Sequence, residues 1–117
     1  MNIPLLALLV GFSTVAGCTS YAQIYRDQPL FAKVENGMSK DQVQQIGGKP
    51  LSISERTVEP GSCFDYLLTQ AEHKHTYSVS FDSYGKVDHT GFMTCAEWSH
   101  AQQKAREPSS GGGGGGY

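Results

Sequence analysis

Gly37-Met38-Ser39-Lys40-Asp41-Gln42-Val43, continuing through Gln44-Gln45-Ile46 to Gly47-Gly48-Lys49-Pro50, is the stretch around which the rest of the chain is arranged. Ser39 is placed to cap a helix, and Gln42 three residues later completes a capping box. Met38, before the cap, can staple onto Val43. Val43 and Ile46 fall on one helical face. Gly47 and Gly48 release the helix, and Pro50 forbids its continuation. A shorter helix precedes it. Pro29 suits a first helical position, where its missing N–H would be unpaired anyway. Leu30, Phe31 and Val34 share a face, and Gly37 can take the left-handed conformation that ends the helix. The stretch reads as a helix hairpin.

After Pro50 the apolar period changes from that of a helix to that of a strand. Leu51 to Ser62 is poor in apolar residues, carries the turn signal Pro60-Gly61, and has room for a short edge strand around Leu51–Glu55. Cys63–Gln70 alternates through Phe64, Tyr66 and Leu68. His75–Phe81 alternates more cleanly, with Tyr77, Val79 and Phe81 on one face and Thr76, Ser78 and Ser80 on the other. Val87–Met93 is a weaker strand interrupted by Gly91. Asp82-Ser83-Tyr84-Gly85 fits a hairpin turn whose glycine supplies positive φ, and the polar link Ala71–Lys74 fits a second. The expectation is an α+β domain over residues 29–98: two short helices packed on a three-stranded antiparallel sheet, in the order ααβββ. The helices would cover the face bearing Tyr66, Leu68, Tyr77, Val79 and Phe81, leaving the other face wet. Residues 99–117 read as a flexible tail. A weak helix around Trp98, Ala101 and Ala105 ends at Pro108, and the run Gly111–Gly116 cannot pack a core.

The other end of the chain carries an address. Ile3 to Phe12 is an apolar run of signal-peptide length, too short to cross a bilayer core of about 30 Å as a helix. Small residues follow at Ala16 and Gly17, and then Cys18. The pattern resembles the bacterial lipoprotein signal, in which a small-residue pair precedes a cysteine that becomes the new N-terminus. That resemblance implies a signal peptide over residues 1–17, cleavage between Gly17 and Cys18, a diacylglycerol thioether on Cys18, and acylation of the freed amine. Val15 stands where leucine is commonest, and Met1-Asn2 brings no lysine or arginine. An ordinary cleaved signal peptide, with Cys18 a free thiol, is the alternative. Thr19 and Ser20, rather than aspartate, imply sorting to the outer membrane. Each buried acyl CH₂ contributes about 0.8 kcal/mol, so three chains anchor durably where one does so marginally. Residues 18–28 read as a lipidated tether, reaching roughly 35 Å when extended.

A net charge of −2 and the absence of a basic stripe exclude phosphate-backbone binding, so no nucleic-acid partner is expected. With Cys18 lipidated, Cys63 and Cys95 remain as an even pair that an oxidising compartment would join. A disulfide closing about 32 residues stabilises by roughly 3 to 4 kcal/mol in the chain-entropy model. Two buried free thiols are the alternative. In a simple three-strand meander the two cysteines would lie at opposite edges and poles of the sheet, which opposes the bridge.

Reactive constellations are few. His73 and His75 share a strand face and His89 is a third imidazole, but zinc in a catalytic site wants a companion carboxylate or thiolate; two solvated histidines at a hairpin tip is the plainer reading. No Gly-x-Ser-x-Gly elbow, carboxylate pair at helical spacing or phosphate-cradling glycine loop appears. The chain therefore reads as a non-enzyme with no cofactor, no catalytic residues and no metal site. Tyr84, Phe92 and Trp98 are candidate anchors for a protein partner.

Gly37-Met38-Ser39, Gln42-Val43, Gly48-Lys49-Pro50, Gly61-Ser62-Cys63 and Thr94-Cys95-Ala96-Glu97, behind a lipoprotein signal, resemble the SmpA/OmlA (BamE-like) family of outer-membrane lipoproteins. The two cysteine contexts point to its osmotically inducible branch, and the resemblance covers about Asp27 to Trp98. It implies an ααβββ fold, a periplasm-facing outer-membrane location with the membrane held through Cys18, and a supporting role in envelope integrity or osmotic stress. In the best-known member that role is contact with the barrel-assembly machinery and with anionic phospholipid, so an envelope protein or anionic phospholipid is the expected partner. A periplasmic inhibitor of an envelope hydrolase is the alternative, on fold analogy alone.

Overall fold

Capping boxes set where three of the helices begin. In a computed structural model, which describes residues 20–107, Ser20, Ser39 and Thr94 each accept a hydrogen bond from the backbone N–H three residues on. Gln23, Gln42 and Glu97 each accept one in turn, through Oε1, from the backbone N–H of the cap. The helices are α1 (Tyr21–Ile24), α2 (Pro29–Lys33), α3 (Lys40–Gly47) and α4 (Cys95–Arg106). Between α3 and α4 run β1 (Ser52–Glu55), β2 (Ser62–Gln70), β3 (His73–Phe81) and β4 (Val87–Gly91), forming one antiparallel sheet in chain order. The sheet thus has four strands, not three: Ser52 to Glu55 pairs along Asp65 to Ser62 and becomes an edge.

One sheet face carries Phe64, Tyr66, Leu68, Tyr77, Val79 and Phe81, all buried, with Tyr25, Leu30 and Val43 from the helices above them. A β-carbon on Gly47 would collide with the Leu30 side chain. This is why α2 and α3 can approach so closely, with Gly47 as the contact point. The Tyr66 hydroxyl donates a hydrogen bond to the Gly48 carbonyl at 2.8 Å, and burial pushes its pKa up to about 12. The α2–α3 connection also joins the sheet edge: Gly37 N–H donates to the Val87 carbonyl, and Val87 N–H to the Met38 carbonyl, both at 2.8 Å.

Four expectations change. The opposite face is not wet, because α4 lies over it and Ser78 and Ser80 are fully buried beneath. The domain does not end at Trp98, since α4 continues unbroken to Arg106, whose guanidinium pairs with Glu59 at 2.6 Å. Residues 20–28 are not a free tether: α1 is capped, Tyr25 is 1% exposed, and Gln28 Nε2 donates to the Thr69 carbonyl and to Gln70 Oε1 at 2.9 and 2.8 Å. The cysteines are not at opposite poles. β4 is short and stops at Gly91 opposite Ser78, level with Asp65. The chain then turns back, Cys95 N–H donates to Asp65 Oδ1 at 2.8 Å, and Cys95 joins Cys63 with Cα atoms 5.9 Å apart. The signal peptide, Cys18 and the glycine run lie outside the described residues.

A buried cation ties this second layer together. The Arg56 side chain is 2% exposed. Its Nη1 donates to Ser80 Oγ, the Phe81 carbonyl and the Asp88 carboxylate, and its Nη2 donates to Glu59 Oε1 at 2.7 Å. Glu59 also holds Arg106, so one arginine links the β1–β2 loop, β3, β4 and the end of α4. Nearby, the His89 ring stacks on Trp98 of α4 at 3.5 Å and 2°. Burial lowers the His89 pKa; the Asp88 carboxylate opposes this and the Arg56 cation adds to it.

Arg56→Met strands the Phe81 carbonyl and separates Glu59 and Asp88 from their shared cation. Both carboxylates can rehydrate, so the expected loss is about 2 to 3 kcal/mol, read as a lower urea midpoint. His89 is depressed below its ordinary 6.5, so the unfolded chain takes up its proton first as the pH falls. Its contribution is complete above 6.5 and is lost from there down to the lowered folded value. Urea midpoints of the wild type should fall across that window, and those of His89→Phe, which keeps a ring against Trp98, should fall less.

Candidate functional site

Because β4 ends opposite Ser78, the outer half of β3 from His73 to Tyr77 extends beyond it. Residues from both ends of the domain fill part of this gap. Tyr21 of α1 stacks on His75 at 4.0 Å, and His75 Nε2 lies 3.1 Å from the Phe92 carbonyl, which fixes that nitrogen as the N–H donor. The Phe92 ring sits in the middle, 4.9 to 5.8 Å from Tyr77, Phe31, Tyr21 and Tyr25. Tyr77 is buried beneath it. That burial raises the Tyr77 pKa, with a hydrogen bond from Thr90 pulling the other way.

An open groove of about 710 Å³ remains, walled by Tyr21, Leu67, Lys74, His75, Phe92 and Met93. Tyr21 and Leu67 are about half exposed, at 48% and 45%. The walls mix aromatic and aliphatic side chains with the polar Thr76 and Thr94, the imidazole of His75 and the opposite charges of Lys74 and Glu97. Such a surface can hold apolar matter with a polar margin.

The three histidines are not brought together. His75 lies on the face shared with Tyr77, whereas His89 pairs opposite Ser80 and points to the α4 side. Among the described residues, no group of three or more His, Cys, Asp or Glu could hold a metal ion. Cys63 and Cys95 are consumed in their disulfide. Of the candidate partner anchors, Tyr84 is 85% exposed at the β3–β4 turn, while Phe92 and Trp98 are half-buried in the aromatic contacts above. Tyr21 and Leu67 were not legible as site residues. The signal that could have found Tyr21 is Ser20-x-x-Gln23, the same spacing as Ser39-x-x-Gln42.

The family model described as the outer membrane protein assembly factor BamE domain matches residues 24–91. OsmE of Escherichia coli strain K12, a chain named for osmotic induction and as a lipoprotein, is 40% identical over 95 residues, covering 79% of this chain and 85% of its own. The same protein from Escherichia coli O157:H7 gives the same figures. A crystal structure of OsmE superposes with a TM-score of 0.70 at 38% identity, over 72% of this chain and 97% of that one. With its helix hairpin, antiparallel sheet and family match running from α1 to β4, the chain belongs to the BamE domain family.

Proposed function

We propose that the chain is a small lipoprotein, anchored through Cys18 in the outer membrane and facing the periplasm. There it serves an accessory or scaffolding role in envelope integrity or osmotic stress, acting by protein or lipid contact rather than by catalysis. The observation that carries this reading is Ala16-Gly17-Cys18 behind an apolar run, in a chain 40% identical to a relative named as an osmotically inducible lipoprotein. The described residues add a supporting argument: their cysteines are bridged and their histidines are divided between two faces. What remains is a module whose surfaces can bind and whose side chains are not set up to react.

Metabolic labelling with palmitate tests the anchor. The wild type should carry label and sediment with outer membranes, and Cys18→Ala should lose both properties; an unlabelled wild type overturns the reading. A pull-down from envelope extract tests the role. Assembly-machinery subunits or lipid support it, whereas a single hydrolase losing its activity in a 1:1 complex replaces it with an inhibitor.

A further inference from the structure

We propose that the open edge of the sheet, β1, is where two copies of this chain join. The two strands pair antiparallel about a twofold axis through Ile53, so that two four-stranded sheets become one continuous sheet. The inference goes beyond the anchor and the accessory role and rests on neither.

The two edges of the sheet are finished differently. At the β4 edge the α2–α3 connection takes up the backbone of Val87, and Ser39 bridges to Lys86. The ladder there is also interrupted between Ser80 and Phe81. The β1 edge has no such protection. Its register with β2 runs unbroken from Ser52 to Glu55, and all four residues are exposed. It contains neither lysine nor proline, the residues that commonly keep an edge from pairing. Arg56 N–H donates to the Gly61 carbonyl, in step with Ser54 opposite Cys63 and Ser52 opposite Asp65. Directly bonded pairs alternate with unbonded ones in an antiparallel ladder. The backbone groups of Ile53 and Glu55 therefore point away from β2, toward the open side.

The side chains say what fits there. Leu51 and Ile53 are 70% and 59% exposed. Ile53 lies opposite Phe64, hence on the α3 side of the sheet, and it lines a groove of about 400 Å³ with Leu51 and Lys49. Glu55, two residues on, projects to the same side as Ile53. With Ile53 facing its own counterpart, Ser52 meets Ser54 of the second copy, and each Glu55 enters the other copy's groove beside Leu51 and Lys49. Among the described residues neither Lys49 nor Glu55 has an ion-pair partner. Apolar residues thus meet at the centre and opposite charges at both ends, so the edge is its own complement, as a twofold interface requires. Sliding the axis to Ser54 would set Ile53 against a glutamate and carry that glutamate away from Lys49.

The test produces the full chain in bacterial cells as two differently tagged copies, each carrying Ile53→Cys or each carrying Leu51→Cys, and oxidises whole cells with copper phenanthroline. The Cα atoms of a hydrogen-bonded antiparallel pair lie about 5.5 Å apart, inside the roughly 4.4 to 6.8 Å that a disulfide spans. Ile53→Cys should give a crosslinked dimer in which both tags occur together. Leu51→Cys should give none, although position 51 is the more exposed, because the twofold sets its two copies at least about 13 Å apart along the strands. A second measurement keeps Ile53→Cys and reverses one charge. Lys49→Glu should cut the yield of dimer roughly tenfold, as two repulsive cross-strand pairs replace two attractive ones, and adding Glu55→Lys should restore it. No crosslink at Ile53, equal crosslinking at both positions, an adduct in which the two tags never occur together, or a charge reversal without rescue overturns the pairing. None of these outcomes bears on palmitate labelling, so the anchor stands or falls separately.

Discussion

Five consecutive residues of β3, Tyr77 to Phe81, are buried. Successive side chains on a strand point to opposite faces, so an unbroken buried run requires cover on both sides of the sheet. Much of the architecture answers that requirement. The α2–α3 hairpin supplies one cover, closing over Phe64, Tyr66, Val79 and Phe81 with Leu30 and Val43. The single helix α4 supplies the other. The first cover is an ordinary apolar core, in which burial does most of the work. The second is thin and polar: serines beneath, a stacked histidine and tryptophan, a disulfide and an arginine.

The thinness of the second layer explains its unusual bonding. A helix with little apolar contact cannot rely on burial to stay in place, and α4 buries only Cys95 fully. It is secured instead at intervals along its length. The disulfide, the Asp65 bond and the His89 stack on Trp98 hold its first turn, and the Glu59–Arg106 pair holds its last turn. Arg56 stands behind that last pair and carries the connection down to the sheet. Desolvating a guanidinium is costly unless its donors are met. Here its Nη atoms reach a hydroxyl, a backbone carbonyl and two carboxylates, while its buried Nε has no hydrogen-bond partner among the described residues.

The apolar cover was legible in the chain because its rules are local. Ser39 and Gln42, Gly47-Gly48 and Pro50, and the alternation of His75–Phe81 each determine structure within a few residues. The polar cover was not, because its partners are far apart: Arg56 meets Ser80, Asp88 and Glu59, and nothing in the residues around Arg56 announces a buried cation. The alternation Thr76-Ser78-Ser80 looked like a solvated face for the same reason, since serine is polar whether it faces water or a helix. The docked segment Ser20–Gln28 was missed on composition, as Tyr21, Ile24 and Tyr25 are too sparse to set a period. The groove depends on where β4 stops, which is a matter of register and of the Gly91 interruption together. The disulfide was expected from the number of cysteines, but its path over the sheet followed only once β4 proved short.

The burial of Arg56 also bears on how the domain meets a change of medium. Mobile ions weaken attraction between charges that both stand in solvent, and they act much less on a group enclosed by protein. With its side chain 2% exposed, the guanidinium presents almost nothing to the ion atmosphere; salt reaches the cluster only through the outer oxygens of Glu59 and Asp88. Swings in ionic strength should therefore leave the Arg56 bonds to the sheet in place, whereas the Glu59–Arg106 pair at the end of α4, 41% and 59% exposed, is the link that salt screens.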